Sequence, residues 1–312
     1  TGPYGPDIKH SDAQKTHVTW DYLFEKNWFM FTLWGRLGYN PDVPENLWIK
    51  HFVKRLGPEV GEDAYEAIIN SSRILPAATC FHWNYMNGDW YPEFCTGGWN
   101  TGENYREWTT PRADKFHSVI EWIFNHTIEE SLLTIPQYVD NIMKGISMNG
   151  VLSPLDMANR LEEYAKQALQ HLRKTSDKGG FPRTTYLLNG EIRVKKAEDE
   201  FKCMRMDVEA LANLGNYYAE KIRGAVELMF FLRTWNEEHQ KKSIEHLEKA
   251  LEWWDRLIEV ASGHYAQPRT GIWAAARRGG PEVFQWHRYR KDVLRDIEIP
   301  KQMGGMKPKT YF

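Results

Sequence analysis

DVEALANLGNYYAEKIRGAVELMFFLRTW, residues 207–235, carries the strongest periodic signal in the chain. Its apolar residues recur at steps of three and four, which places them on one face of an α-helix. These residues are Leu211, Leu214, Tyr218, Ile222, Ala225, Met229 and Leu232. The spacing therefore predicts one long helix with a buried stripe, and Tyr218 is a predicted core residue.

Two more long helices are predicted on either side of this stretch. One begins at Ser153, an N-cap residue followed by Pro154 in the first turn and Asp156 near the positive end of the helix. The other spans about 237–261 and places an apolar face on one side, formed by Ile244, Leu247, Leu251, Trp254 and Ile258. Shorter helices are predicted over 45–56, 60–78, 113–126 and 135–145.

The remaining segments complete a mainly α fold. The stretch from Trp20 to Leu37 has aromatic residues almost all round, which predicts a helix wedged among other helices. Residues 184–196 contain an Asn-Gly turn between short β-prone runs and predict an isolated hairpin. We expect a helical bundle or stacked antiparallel helix hairpins with two long ordered loops, over 81–111 and 264–286.

Composition narrows the classes of function. The chain has 312 residues, 42% of them hydrophobic, and a formal net charge of −2. The balanced charge gives no argument for a nucleic acid or an anionic membrane as partner, and no apolar run reaches the ~18 residues that a membrane helix needs. The sequence has no nucleotide-binding loop, zinc-protease or serine-hydrolase motif, so neither a metal nor another cofactor is expected.

The aromatic fraction of 14% is the unusual feature of this composition. It is concentrated in FHWNYMNGDWYPEFCTGGWNTGENYREW, residues 81–108, where Asn-Gly, Tyr-Pro and Gly-Gly steps exclude a continuous helix. Sugars have apolar faces ringed by hydroxyl groups, so aromatic rings beside acidic and amide side chains suit them. The predicted carbohydrate-binding residues are Asp89, Trp90, Tyr91, Glu93, Trp99, Asn100 and Glu103.

Other interpretations of the aromatic loop remain open. Asp89 and Glu93 are candidates for a glycosidase carboxylate pair, and some of the rings will instead fix the loop to its own scaffold. Phe81 and Trp83 continue a helical run, so we expect both to point inward. Cys80 and Cys95 flank part of the loop and would be either buried thiols or, in an oxidising compartment, a disulfide.

Three segments resemble a known family of proteins. They are EKNWFMFTLWGRLGYNPDVPENLW (25–48), SPLDMANRLEEYAKQAL (153–169) and ALANLGNYYAEKIRGAVEL (210–228). Together they resemble the α-helical C-terminal region of large secreted bacterial polysaccharide-degrading proteins, which are related to α-glucuronidase-like glycoside hydrolases. In those proteins the region follows a catalytic (β/α)-barrel, and the resemblance covers most of 16–300.

The resemblance implies a helical accessory domain rather than a complete enzyme. Its partners would be a polysaccharide or oligosaccharide and an upstream catalytic domain of the same polypeptide, in a secreted or periplasmic bacterial protein. The terminal stretches TGPYGPD and GGMKPKTYF predict a linker or arm over 1–15 and a linker over 301–312, with both ends cut from a longer polypeptide and a single helical domain over 16–300 between them. The alternatives are a self-sufficient α/α-toroid glycosidase or polysaccharide lyase, and a helical scaffold whose aromatic patch binds a protein.

Overall fold

The computed structural model describes residues 26–82, 117–175, 178–188, 190–264, 269–270, 283–284 and 286–304. Helices account for most of these residues, which confirms the mainly α fold. In chain order the helices are α1 (Trp28–Leu37), α2 (Glu45–Leu56), α3 (Gly61–Ser72), α4 (Ile74–Phe81), α5 (Val119–Phe124), α6 (Ile135–Lys144), α7 (Pro154–Lys174), α8 (Ala197–Thr234), α9 (Glu237–His264) and α10 (Arg290–Met303).

Most predicted helix boundaries agree with these bounds, because interactions between residues close together in the sequence fix them. At the start of α7, Ser153 and Asp156 exchange backbone-to-side-chain hydrogen bonds, with Ser153 N–H donating to Asp156 Oδ2 over 2.8 Å and Asp156 N–H donating to Ser153 Oγ over 3.1 Å. The helix predicted over 60–78 is instead two helices, because α4 begins anew after Arg73. Pro76 lies in the first turn of α4, where its missing N–H costs no helical hydrogen bond.

The strands are few and short. The predicted hairpin is present as β1 (Arg183–Leu188) and β2 (Glu191–Lys196), which pair antiparallel. Gly190 has a φ of +83° in the turn between them, a conformation that glycine adopts without strain. A second pair of two-residue strands, β3 (Arg269–Thr270) and β4 (Val283–Phe284), lies within the segment predicted as the second long loop.

The chain divides into two compact units. Unit 1 comprises residues 1–71, 166–210 and 260–267, and unit 2 comprises 72–165, 211–259 and 268–312. Four of the boundaries between them fall inside helices, in α3, α7, α8 and α9. The expectation of a single domain over 16–300 stays a prediction, and each unit is described separately below.

The core of unit 1 is an aromatic cluster built by α1, α2 and α3. Phe52 lies at its centre, with its ring centroid 4.8 Å from that of Phe29 and 5.6 Å from that of Tyr65. Leu172 of α7 and Phe201 of α8 belong to the same buried cluster. Edge-to-face rings of this kind gain about 0.5–1.5 kcal/mol per pair beyond the area that they bury.

Glycine allows α3 to approach α2 closely. A Cβ atom built on Gly61 would overlap the backbone of Phe52 and Val53. No larger residue fits at this position without moving one helix away from the other. Gly61 is therefore required by the packing of unit 1 rather than by a turn.

The core of unit 2 is formed around α8. The predicted stripe is buried at Leu214, Tyr218, Ile222, Ala225 and Met229. Leu211 and Leu232, at its two ends, are half-buried. The helix buries more than this stripe, because its other faces carry the further buried residues Tyr217, Lys221, Val226, Leu228 and Phe231.

Helix α9 buries a slightly different face from the predicted one. Leu247 and Trp254 are buried as predicted, but Leu251 is only half-buried. The buried face includes Ser243 and Ala250 instead. Small residues are favoured there because α8 approaches closely: a Cβ on Gly224 would lie 2.9 Å from the Leu247 side chain.

The expectation that the aromatic N-terminal helix is wedged among others is wrong for the described part, α1. Its inner face carries Phe29, which is buried, but Trp34 on the outer face is 71% exposed. The predicted residues 20–25 lie outside the described part of the chain.

Within the described residues, no helix is both long enough and apolar enough to cross a membrane.

Candidate functional site

The predicted carbohydrate site lies in residues 83–116, outside the residues that the structure describes. Its members therefore remain predictions as binding or catalytic residues: Asp89, Trp90, Tyr91, Glu93, Trp99, Asn100 and Glu103. Trp83 and Cys95 also fall in this segment, whereas Phe81 is buried as predicted. Cys80 has a free, half-buried thiol.

The two residues that border this segment are joined by a hydrogen bond. His82 follows α4, His117 precedes α5, and both side chains are buried. Nε2 of His82 lies 2.9 Å from Nδ1 of His117. The chain leaves the described structure at His82 and re-enters it at His117, so this bond fixes both ends of the segment that contains the predicted site.

His82 is stacked on an aromatic ring, and its burial favours the neutral form. Its ring lies parallel to that of Trp122, with the two planes 6° apart and the centroids separated by 4.2 Å. Burial, the neighbouring His117 and the nearby Lys221 amine keep the pKa of His82 well below its ordinary value. A neutral imidazole can accept one hydrogen bond and donate another, as a histidine pair requires.

Lys221 is a fully buried cation next to the histidine pair. Its Nζ donates to the backbone carbonyl of His117 over 2.6 Å and to the hydroxyl of Tyr217 over 3.0 Å. The same Nζ lies 3.1 Å from Oδ2 of Asp296 and 5.5 Å from the ring centroid of Trp122. A buried ammonium group needs such partners, because removing it from water is costly.

Asp296 of α10 connects Lys221 to the start of α5. Its Oδ1 accepts a hydrogen bond from the Val119 N–H over 2.7 Å. Its Oδ2 faces Lys221 as an ion pair without the alignment of a hydrogen bond. Burial raises the pKa of Asp296, and the Lys221 amine and the Val119 N–H act in the opposite direction.

The start of α5 is also fixed by its own capping box. Ser118 is the N-cap, and its N–H donates to Oε2 of Glu121 over 2.6 Å. The backbone from His117 to Val119 is thus fastened at three successive residues, by Lys221, Glu121 and Asp296. We call His82, His117, Lys221, Asp296 and Tyr217 the anchor network.

The anchor network positions backbone rather than presenting a reactive group. Its charged atoms face one another or backbone groups, and the side chains of Lys221 and Asp296 have almost no exposed surface. Sequence reasoning missed it because its members are up to 214 positions apart along the chain. The only local signal is Lys221 itself, a charged residue at helical spacing from Tyr217 and Ala225.

A second polar cluster joins α7, α8 and α9 within unit 2. Glu220 accepts from Nδ1 of His246 over 2.7 Å and from Arg223 over 2.8 Å. Arg223 also donates to Glu162 over 2.6 Å and to Asn159 over 3.0 Å. Burial tends to raise the pKa of Glu220, but its bonds to His246 and Arg223 lower it overall.

This second cluster stabilises the packing of α8 on α9. A similar pair lies seven residues later on α8 and seven residues earlier on α9, where His239 Nδ1 lies 2.6 Å from Glu227 Oε2. Between the two pairs, the Ser243 hydroxyl donates to the Gly224 carbonyl over 2.8 Å. Among the described residues, no group of three or more His, Cys, Asp and Glu side chains is arranged to hold a metal ion.

The histidine pair predicts a pH-dependent stability. The folded-state pKa of His82 is depressed, so the unfolded chain binds the proton more tightly and stability is lost as pH falls below about 6.5. The slope contributed by one such group reaches at most about 1.4 kcal/mol per pH unit. Urea unfolding between about pH 5 and pH 7.5 measures it. Asp296, whose folded-state pKa is raised by burial, contributes a slope of opposite sign, so the comparison is made between variants that all retain Asp296.

His82→Gln is expected to flatten this slope, and the exposed His126→Gln is the control that retains it. His51 of unit 1 also has a pKa lowered by burial and by nearby cations, so it contributes a background slope of the same sign to every variant. A His82→Gln variant with the full wild-type slope would show that the histidine pair is not the titrating element.

Comparison with known proteins finds a solved structure with a similar fold but no related sequence family. No model of a known protein family matches the chain, and no curated protein matches it. Among solved structures, it is similar to a GH138 enzyme targeting pectin rhamnogalacturonan II, with a TM-score of 0.65 and 15% sequence identity. The match covers 94% of this chain and 40% of that chain. This chain therefore shares its helical fold with less than half of a glycoside hydrolase.

Proposed function

We propose that the chain is the helical accessory region of a glycan-degrading glycoside hydrolase and that residues 83–116 contact the glycan. The observation that carries this proposal is the match of nearly the whole chain to a part of a GH138 enzyme. The resemblance of three sequence segments to helical regions of polysaccharide-degrading proteins points in the same direction.

The anchor network supports residues 83–116 as the contact segment. It fixes the backbone at both ends of that segment with buried charges and hydrogen bonds. Binding segments benefit when a rigid scaffold holds their ends, because less conformational freedom is lost on binding. In this proposal Trp90, Tyr91 and Trp99 stack on sugar rings, and Asp89, Glu93, Asn100 and Glu103 bond to hydroxyl groups.

In this proposal a second domain of the same polypeptide cleaves the glycan. Three stacked rings would each contribute on the order of 1 kcal/mol, by analogy with aromatic pairs, which gives weak affinity after the costs of association. Such a module is useful when it is tethered to a catalytic domain, since tethering raises the effective concentration of the glycan. A secreted or periplasmic protein would meet such a substrate.

A glycan titration tests the proposal. Oligosaccharides released from rhamnogalacturonan II are the first ligands to use, because the structural neighbour targets that polysaccharide. We expect weak binding by the wild type and at least about tenfold weaker binding by Trp90→Ala/Trp99→Ala, since tenfold corresponds to a loss of about 1.4 kcal/mol. Calorimetry or ligand-observed NMR measures the affinity.

The matched control is Trp34→Ala, which removes a ring that is 71% exposed and lies outside the segment. It should bind as the wild type does. Thermal melts must show that the double variant folds. Equal binding by a folded Trp90→Ala/Trp99→Ala variant would refute the contact by these rings. Release of reducing ends that is lost in Asp89→Asn or Glu93→Gln would favour the self-sufficient enzyme instead.

A further inference from the structure

The outer face of α1 is apolar although it faces solvent. Met30, Phe31, Trp34 and Leu37 follow one another at helical spacing along this face, and each is at least 41% exposed. Tyr39, just beyond the helix, is 93% exposed. We call these five residues the α1 patch.

The α1 patch has the composition of an interface core. From Trp28 to Asn40 the sequence contains a single charged residue, Arg36, and no Lys, Asp or Glu. Aromatic residues, Met and Arg are enriched where proteins meet, and Lys, Asp and Glu are depleted. The opposite face of α1 packs in the core of unit 1 through Phe29, so the helix has a buried inner face and an exposed outer one.

The size of the patch indicates what kind of partner covers it. Trp34, Tyr39 and Phe31 are 71%, 93% and 48% exposed, which amounts to roughly 300–500 Å² if a full ring side chain buries 150–250 Å². An independent protein partner needs about 800 Å² on each side. Interfaces between domains of one chain are smaller, about 600–1,500 Å² in total or about 300–750 Å² on each side, and the area of the patch lies within the range for one side.

A glycan fits this patch less well than a protein surface does. Sugar recognition needs hydrogen-bonding side chains beside the rings, whereas Met30 and Leu37 offer none. The amide oxygen of Asn40 already accepts the Asp42 N–H over 3.0 Å. An apolar protein surface satisfies all five residues of the patch at once.

We propose that the α1 patch is the docking surface for an apolar face of a second domain of the same polypeptide. This inference rests on the proposed function, from which the second domain follows. The solved neighbour is consistent with it, because most of that chain lies outside the matched region.

The test compares this chain with the polypeptide encoded by its complete reading frame. Hydrogen exchange of the α1 amide groups is the measurement, because docking protects the helix from local opening. We expect exchange over residues 28–37 to be at least about tenfold slower in the complete polypeptide, a factor that corresponds to about 1.4 kcal/mol. Phe31→Gln/Trp34→Gln should abolish this difference.

Two further variants keep the test decisive. Phe124→Ser is the matched control, since it removes another exposed ring, 58% exposed in unit 2, and should leave the protection intact. If the double variant does not fold, Tyr39→Ser replaces it, because Tyr39 lies outside the helix and is almost fully exposed. Melting of the isolated chain establishes which variant is usable.

Several outcomes would overturn the proposal. Equal exchange rates in the two proteins, or a complete reading frame without a second domain, would remove the partner. Dimerisation of the isolated chain that the double variant abolishes would make a second copy the partner. Slower exchange on addition of oligosaccharide to the isolated chain would make the patch a glycan site. If protection is observed but no glycan binds, the docking surface stands and the proposed function fails.

Discussion

Lys221→Met is expected to lower the free energy of unfolding by about 3–5 kcal/mol, because it leaves a buried carboxylate without its cation. Asp296 is 2% exposed, so water cannot replace the lost ammonium group. The His117 carbonyl and the Tyr217 hydroxyl lose a donor in the same variant. Methionine has a similar length and no charge, so the change removes the charge and its hydrogen bonds while keeping most of the packed volume. Denaturant unfolding at neutral pH measures the loss.

The loss should shrink at acidic pH. Removing Lys221 raises further the already raised pKa of Asp296, because burial then acts without the opposing cation. A carboxyl group whose folded-state pKa is raised is tolerated better as it becomes protonated, so the variant recovers stability relative to the wild type as pH falls through that pKa. The difference between the two proteins is therefore largest at neutral pH.

A double variant separates charge from packing. Lys221→Met/Asp296→Asn removes both charges, and its amide oxygen can still accept the Val119 N–H. We expect it to be more stable than the sum of the single changes predicts, which is the signature of direct coupling. The exposed ion pair of Lys301 and Glu298 is the control, since Lys301→Met should change stability by less than about 0.5 kcal/mol. A loss below about 1 kcal/mol for Lys221→Met would contradict the described network.

Trp254→Ala is expected to cost about 3–5 kcal/mol of unfolding free energy. The side chain is fully buried in unit 2. Its ring centroid lies 4.8 Å from that of Tyr217 and 5.5 Å from that of Trp286. Alanine would leave a cavity between three elements, α8, α9 and the 3₁₀ helix Trp286–Tyr289. The surrounding rings cannot collapse into it without leaving their own contacts.

The neighbouring tryptophan is the matched control. Trp253 is half-buried, and the Arg256 guanidinium lies 4.3 Å from its ring centroid. Trp253→Ala should cost about 1 kcal/mol, from a partly buried ring and an exposed cation–π contact. Equal losses at the two positions, measured by urea unfolding of both variants, would show that the orientation of α9 differs from the one described. Leu251→Ala should fall between them, since Leu251 is also half-buried.

The candidate segment could be predicted from the sequence, but the anchor network that holds its two ends could not. Aromatic residues separated by turn-forming dipeptides are visible in the sequence over 81–108, without any knowledge of the fold. His82 and His117 are 35 positions apart, and Lys221 and Asp296 are 75 apart. None of these separations has a local signature, so the pairs are known only once the helices are packed.

The outer face of α1 is a feature that the sequence predicted incorrectly. Its aromatic residues predict burial, because large apolar side chains in folded proteins are often covered. Within the described residues, α1 packs its inner face into the aromatic core of unit 1 through Phe29, and its outer face is exposed. Burial is therefore a property of the assembled structure, and sequence periodicity alone cannot say which of two apolar faces is covered.

The sequence by itself determined the positions of helices and of the hairpin. Capping residues such as Ser153, the Asn-Gly turn at 189–190 and the three-and-four periodicity of 207–235 act over a few residues, where hydrogen bonds and backbone sterics decide the conformation. Only the tertiary structure decided that Lys221 meets Asp296 and that Trp34 faces solvent. Those outcomes depend on which surfaces the packed helices exclude from water, a condition that residues far apart in the chain satisfy together.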